Sequence, residues 1–270
     1  MLDKALKLLK NQYDENKPKV ENNEFLIRYL NEKWRHSMQV FGAGNMLVRH
    51  IDWLREKPAD YIEMVRTAVL LHDVFRFKEI SLLAENKKID HGVEGAKFLK
   101  NIPLFSDIRI WLPIYHHGHL IEDLYADEQY QNLPEDLRRE VKLICFIIRD
   151  ADKIANLHML ANETSVHPLF LGTGTGNAIH DGSITDSVKK VVFSGRTVDP
   201  TYQLTTAERM LRFLSWFNDI NYCYSIDFCS KLRVIQNLKG YFAQICNDEA
   251  FVKEYFAYFD ECLRLRDFLA

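Results

Sequence analysis

In Ala68-Val69-Leu70-Leu71-His72-Asp73 a run of four apolar residues ends abruptly in an imidazole and a carboxylate. Residues 60–75 around it are mostly apolar, which predicts a buried helix. Polar groups at the end of such a helix lose their hydration and need compensation. A metal ion compensates both side chains at once, so the doublet raises the question of further ligands elsewhere in the chain.

Working outward, helical spacing dominates. Residues 23–55 carry Phe25, Leu30, Trp34, Met38, Phe41, Leu47 and Leu54 at steps that predict a long helix, closed by Pro58. Shorter helices are expected over 91–100 and 106–117, either side of Pro103, and a long one over 135–160 after Pro134. Strand-like alternation is scarce, and Lys190-Val191-Val192-Phe193 is the best short candidate. The stretch 163–203 holds Gly172-Thr173-Gly174-Thr175-Gly176, Gly182, Gly195 and Pro200, which reads as a loop-rich connection or lid. The Gly-Thr repeat lacks the Gly-Lys-Ser/Thr ending of a phosphate loop, so a hinge is the better reading. Aromatic-rich helical patterning resumes over 204–269. The expected architecture is all-α: a helical core over 1–162, the 163–203 connection, and helices over 204–270 packing back on the core as one structural unit.

Composition narrows the function classes. The 270 residues are 47% hydrophobic, enough for a sizeable core, and the formal net charge is -3. Bulk nucleic-acid binding is therefore not expected. Leu143 to Ile148 is too short to span a bilayer, and the charged, amphipathic N-terminal stretch does not look like a secretion signal. Five cysteines without a C-x-x-C pair read as reduced thiols, which suggests a cytoplasmic protein. The aromatic helices after 204 offer a face for a homodimer.

The ligand types gather where apolar runs end. His36 follows Glu32-Lys33-Trp34-Arg35. His91 opens Asp90-His91-Gly92-Val93-Glu94-Gly95-Ala96. His116 and His117 close Trp111 to Tyr115, with His119 two further on. Asp150 and Asp152 follow Leu143 to Ile148. Three apolar segments ending this way argue for convergence on one polar centre within a helical bundle. Imidazole and carboxylate without thiolate suit manganese, iron, cobalt, nickel or zinc, with magnesium a further candidate. His50, His158, His167 and His180 lack such a context.

The order His36, His72-Asp73, Asp152 resembles the H…HD…D pattern of the HD-domain superfamily of metal-dependent phosphohydrolases. Leu70 to Phe77 looks like that family's LLHDIGRF segment, with Phe75 where glycine is usual, a place where the backbone path is expected to differ. Arg149-Asp150-Ala151-Asp152-Lys153 looks like its closing D-A-D-K segment, whose metal ligand matches Asp152 rather than Asp150. The resemblance covers about residues 30–160 and implies an HD-domain-like helical bundle with a C-terminal helical extension. His91 to Ala96 resembles an H-x-x-x-G-A segment of members with two metals, and His116-His117 resembles a paired histidine of the cyclic-dinucleotide branch. That branch's G-Y-P segment is missing here, so its substrate is not implied.

The resemblance implies a two-metal phosphohydrolase acting on a nucleotide or other small phosphoester. His36, His72, Asp73 and Asp152 would hold one ion. Asp73, His91 and one of His116 and His117 would hold the other. Arg76, Lys78 and Lys153 are candidates to neutralise phosphate oxygens. Glu32, one helical turn before His36, is a further candidate ligand, as is His119, and Asp150 is a candidate orienter of a ligand histidine. Two other classes stay open: a di-iron oxygenase built on the same ligand set, and a non-catalytic signalling module.

Overall fold

The chain is described from a computed structural model over residues 1–162, 181–199 and 204–269. Asn23 opens the long helix by accepting the Leu26 amide at 3.1 Å, and the helix then runs without a break to the extended residue Ile51. The helices of the first part are α1 (Leu2–Asn16), α2 (Glu24–His50), α3 (Ala59–Leu71), α4 (Arg76–Leu83), α5 (His91–Lys100), α6 (Ile108–His116), α7 (Ile121–Ala126), α8 (Glu128–Gln131) and α9 (Glu135–Asn162). Those of the second are α10 (Asp186–Phe193), α11 (Thr206–Ser215), α12 (Cys223–Lys231), α13 (Val234–Ile245) and α14 (Glu249–Leu265). Among the described residues the only strand-type pairing is an isolated bridge between Tyr222 and Leu269, so the fold is all-α. None of these helices is long and apolar enough to cross a membrane. No disulfide joins any of the five cysteines.

The chain divides into two compact units, residues 1–155 and 156–269. In the first, α3 is the central helix, in contact with α1, α2 and α6. Val65, Ala68, Val69 and Leu71 on it have no exposed surface, while Asp60 is exposed and Glu63 and Arg66 are half-buried, so the helix is not buried on every side. The approach of α2 to α3 depends on Gly44. A Cβ there would run into the Val69 side chain, lying 3.1 Å from Cγ2 and 3.3 Å from Cβ and closer still to Cγ1. The absence of a side chain at 44 therefore sets the depth at which His36 and His72 face each other across these two helices.

In the second unit Thr205 and Glu208 form a reciprocal cap on α11, with Glu208 N to Thr205 Oγ1 at 3.1 Å and Thr205 N to Glu208 Oε2 at 2.9 Å. Phe193, Phe242, Phe251 and Tyr255 pack ring against ring among α10, α13 and α14.

Two expectations need correction here. Lys190–Phe193 is not a strand but the last half of α10, and α10 lies within the stretch read as a loop-rich connection. Val188 and Val192, four apart, are the buried face of that helix. The Gly172–Gly176 run, His167 and His180 lie outside the described residues.

Candidate metal centre

His72 sits one residue beyond the last turn of α3. Its Nδ1 lies 2.9 Å from the Val69 carbonyl, three residues back. A carbonyl only accepts, so Nδ1 carries the proton and Nε2 presents a lone pair. That Nε2 is fully buried and has no hydrogen-bond partner among the described residues. His117 repeats the device one residue beyond α6, with Nδ1 2.7 Å from the Ile114 carbonyl. Two helices thus end in an imidazole locked by the carbonyl at i−3, with Nε2 turned toward Asp73. Orientation of a ligand ring through its other nitrogen is the usual support of a metal-binding histidine.

Asp73 lies between them. Its Oδ1 is 3.1 Å from His91 Nε2 and 3.5 Å from His117 Nε2, and those two nitrogens are 3.4 Å apart. Its Oδ2 is 3.7 Å from His72 Nε2. On the other side Asp152 Oδ1 lies 2.9 Å from His36 Nε2 and 4.0 Å from His72 Nε2. Donor atoms roughly 2.0–2.2 Å from one ion lie about 3.0–3.5 Å from each other at angles between square and tetrahedral. The separations among Asp73, His91 and His117 match that spacing, and those of His72 to Asp73 and Asp152, at 3.7 and 4.0 Å, are somewhat wider. Two groups of three could each hold an ion: His36, His72 and Asp73, and Asp73, His91 and His117.

The fold supplies each member by a local rule. Asp90 caps α5 by accepting the Val93 amide at 3.0 Å, which makes His91 the first helical residue. Gly92 lets α5 lie close to α6. A Cβ there would be 3.2 Å from the Ile114 carbonyl oxygen and 3.3 Å from the His117 ring, so a side chain would push apart the two histidines that share Asp73. Phe75 follows the doublet with φ −98° and ψ 1°, a conformation open to any L residue. Its ring packs on Phe98 at 4.9 Å.

The electrostatics suit cations. Burial opposes ionisation of Asp73, yet Arg76, His72 and His91 hold its carboxyl well below the usual range. Burial acts the same way on Asp152, and His36 and His72 outweigh it to keep the carboxyl far below normal. Burial pushes His72 down to about 4, which leaves its ring neutral at physiological pH, the state a metal requires. His91 is raised: burial lowers it, but Asp73 and Glu79 together more than offset this.

Other predicted residues take different places. His116 does not join the cluster. Its Nε2 lies 3.1 Å from Asp127 Oδ2, and His117 takes the position beside Asp73. His119 pairs with Asp90 at 2.8 Å and belongs to neither group of three. Lys78 is exposed, with its ammonium 5.0 Å over the Phe75 ring, and does not face the cluster. Glu32 lies 3.9 Å from Arg28 and is in neither group. Asp150 is fully buried on α9, two residues and so a different helical face from Asp152. Lys153 is half-buried beside Asp152.

Arg76 is held by Asp73 Oδ2 at 3.5 Å and Glu79 Oε2 at 2.6 Å, and Glu79 also reaches His91 Nδ1 at 3.4 Å. Sequence reading missed Glu79 and also Lys33. Burial lowers the Lys33 ammonium, while Asp73 and Asp152 are among the groups whose charge acts on it. Lys33 lies three residues before His36, on the same helical face, which is the signal that points to it. A cavity of about 270 Å³ opens beside the second group, lined by Arg76, Asp90, His91, Tyr115, His117 and His119 among others.

The family model of the HD domain matches residues 34–157, a span that opens two residues before His36 and closes five after Asp152. Over residues 34–157 the chain is similar to the HD domain. The HD domain is the fold of a superfamily of metal-dependent phosphohydrolases, and the matched span contains both groups of His and Asp that could hold an ion. Comparison with the curated proteins and with the solved structures finds no match.

Proposed function

We propose that this HD domain is a two-metal phosphohydrolase acting on a nucleotide or other small phosphoester. The observation that carries the reading is the position of Asp73, whose Oδ1 faces His91 and His117 at 3.1 and 3.5 Å while its Oδ2 faces His72 at 3.7 Å. His36, His72 and Asp152 would hold one ion, His91 and His117 the other, and Asp73 would join them. Mn, Fe, Co, Ni and Zn all suit this donor set. Bound there, two ions supply a water acidic enough to lose its proton near neutral pH and positive charge for phosphoryl oxygens.

The protein's own part is to hold and neutralise. Arg76 stays charged at any working pH and is fixed at the cavity wall by Glu79, so its guanidinium is already in place for a phosphate oxygen. Lys33 and Lys153 add cationic side chains on α2 and α9. The cavity volume of about 270 Å³ is small for a ligand site and favours a compact substrate.

The test is a screen of metal-free protein, resupplied with each divalent ion, against nucleotides and small phosphoesters. Metal-dependent phosphate release that disappears in His72→Ala and Asp73→Ala is the expected result. Release that survives both substitutions overturns the reading. Tightly bound iron with substrate-dependent oxygen uptake and no phosphate release would replace it with oxygenase chemistry.

A further inference from the structure

The last carbonyls of a helix have no intrahelical partner and need one from elsewhere. At the end of α6 the Ile114 carbonyl takes the His117 ring, the His116 carbonyl accepts the His119 amide, and one guanidinium serves the turn that follows. Arg149 Nη1 donates to the carbonyls of His116 and His117, each at 3.3 Å, and also to that of His119. Arg149 is only 4% exposed, so this contact is made out of water, where a charge-assisted hydrogen bond counts most. A cation at a helix C-terminus also meets the negative end of the helix dipole.

The contact reaches the proposed centre in one step. His117 is held at its ring by the Ile114 carbonyl and at its own carbonyl by Arg149. Arg149 lies three residues before Asp152 on α9, one turn away on the same side of the helix. One helix thus supplies the carboxylate that faces His36 and the guanidinium that fixes the turn bearing His117.

We propose that Arg149 is a positioning residue for the second ion: it locks the turn after α6 so that His117 Nε2 stays within coordination distance of Asp73 and His91. The proposal rests on the two-ion reading above. Arg149 touches neither ion nor substrate. A purely structural role in the bundle would affect both ion sites alike, whereas this role affects the second one selectively.

The experiment titrates metal-free protein with Mn²⁺ by calorimetry in wild type, Arg149→Met, Arg149→Lys and His117→Ala, with circular dichroism to verify folding. Arg149→Met should bind the first ion as wild type does and the second about 10–100-fold more weakly, the usual cost of losing an outer-shell partner. Arg149→Lys, which keeps the charge but not the planar fork, should fall between. In the His117→Ala background, Arg149→Met should cost nothing further at the second site. Folded Arg149→Met that binds both ions normally, or loses both equally, overturns the proposal. If Arg149→Met does not fold, Arg149→Lys decides in the same way. A wild-type protein that binds a single ion defeats the two-ion reading and Arg149's role with it, an outcome visible before any variant is examined.

Discussion

Gly42 and Gly44 lie two residues apart on α2, and the same substitution at each should have opposite effects. Glycine inside a helix costs about 1 kcal/mol relative to alanine. At Gly42 a new Cβ would meet nothing within 4 Å, so Gly42→Ala should stabilise by about that amount. At Gly44 the new Cβ would press on the whole branch point of Val69, 3.1 Å from Cγ2, 3.3 Å from Cβ and nearer still to Cγ1. Rotating the valine only exchanges one clash for another, so α2 and α3 must separate. Overpacking of this kind costs roughly 1–3 kcal/mol. Helix propensity is common to both variants, so their difference isolates the steric cost, and thermal melts should separate them at roughly 2–4 °C per kcal/mol for a chain of this size. The strain reaches the centre because the Val69 carbonyl orients His72. Gly44→Ala should therefore also weaken metal binding, and Gly42→Ala should not. Equal stabilisation by both substitutions would refute the close approach of α2 to α3 that places His36 opposite His72.

The neighbours His116 and His117 should separate just as clearly. His117→Ala should lower the metal content by one ion per chain, and His116→Ala should leave it unchanged, because His116 faces Asp127; elemental analysis of the two variants checks this, and the reverse pattern would contradict the assignment. In the metal-free protein, His72 should make stability depend on pH. Its ring takes a proton below about pH 6.5 when unfolded but only near 4 when folded, so the unfolded state binds more protons in that window. Stability should fall as pH drops from 6.5 toward 4, by up to roughly 3 kcal/mol at about 1.36 kcal/mol per pKa unit. His91, which is raised, acts in the opposite sense, contributing stability below pH 6.5 that fades as pH rises through its folded value. Urea melts of wild type and His72→Asn across pH 4–7 cancel the His91 effect, and a constant difference between them would count against a buried neutral His72.

The helices around the doublet were legible because their apolar spacing is unbroken and their ends carry proline or capping residues. The order of His36, His72-Asp73 and Asp152 was legible too, since chemistry that needs convergent ligands leaves them at the ends of separate apolar runs. Between His116 and His117 the sequence is silent: both follow the same run, and only the i−3 carbonyl of Ile114 and the carboxylate of Asp127 distinguish them. Lys33 and Glu79 read as solvated helix charges until the fold sets them beside Asp73 and His91. α10 was hidden because its β-branched valines imitate a strand, while its buried face consists of just Val188 and Val192.

The most direct test of the account counts the ions. Metal-free protein equilibrated with Mn²⁺ or Co²⁺ and freed of excess should retain two ions per chain in wild type, one in His117→Ala and none in Asp73→Ala. A single ion in wild type that persists in His117→Ala would contradict a centre joined through Asp73.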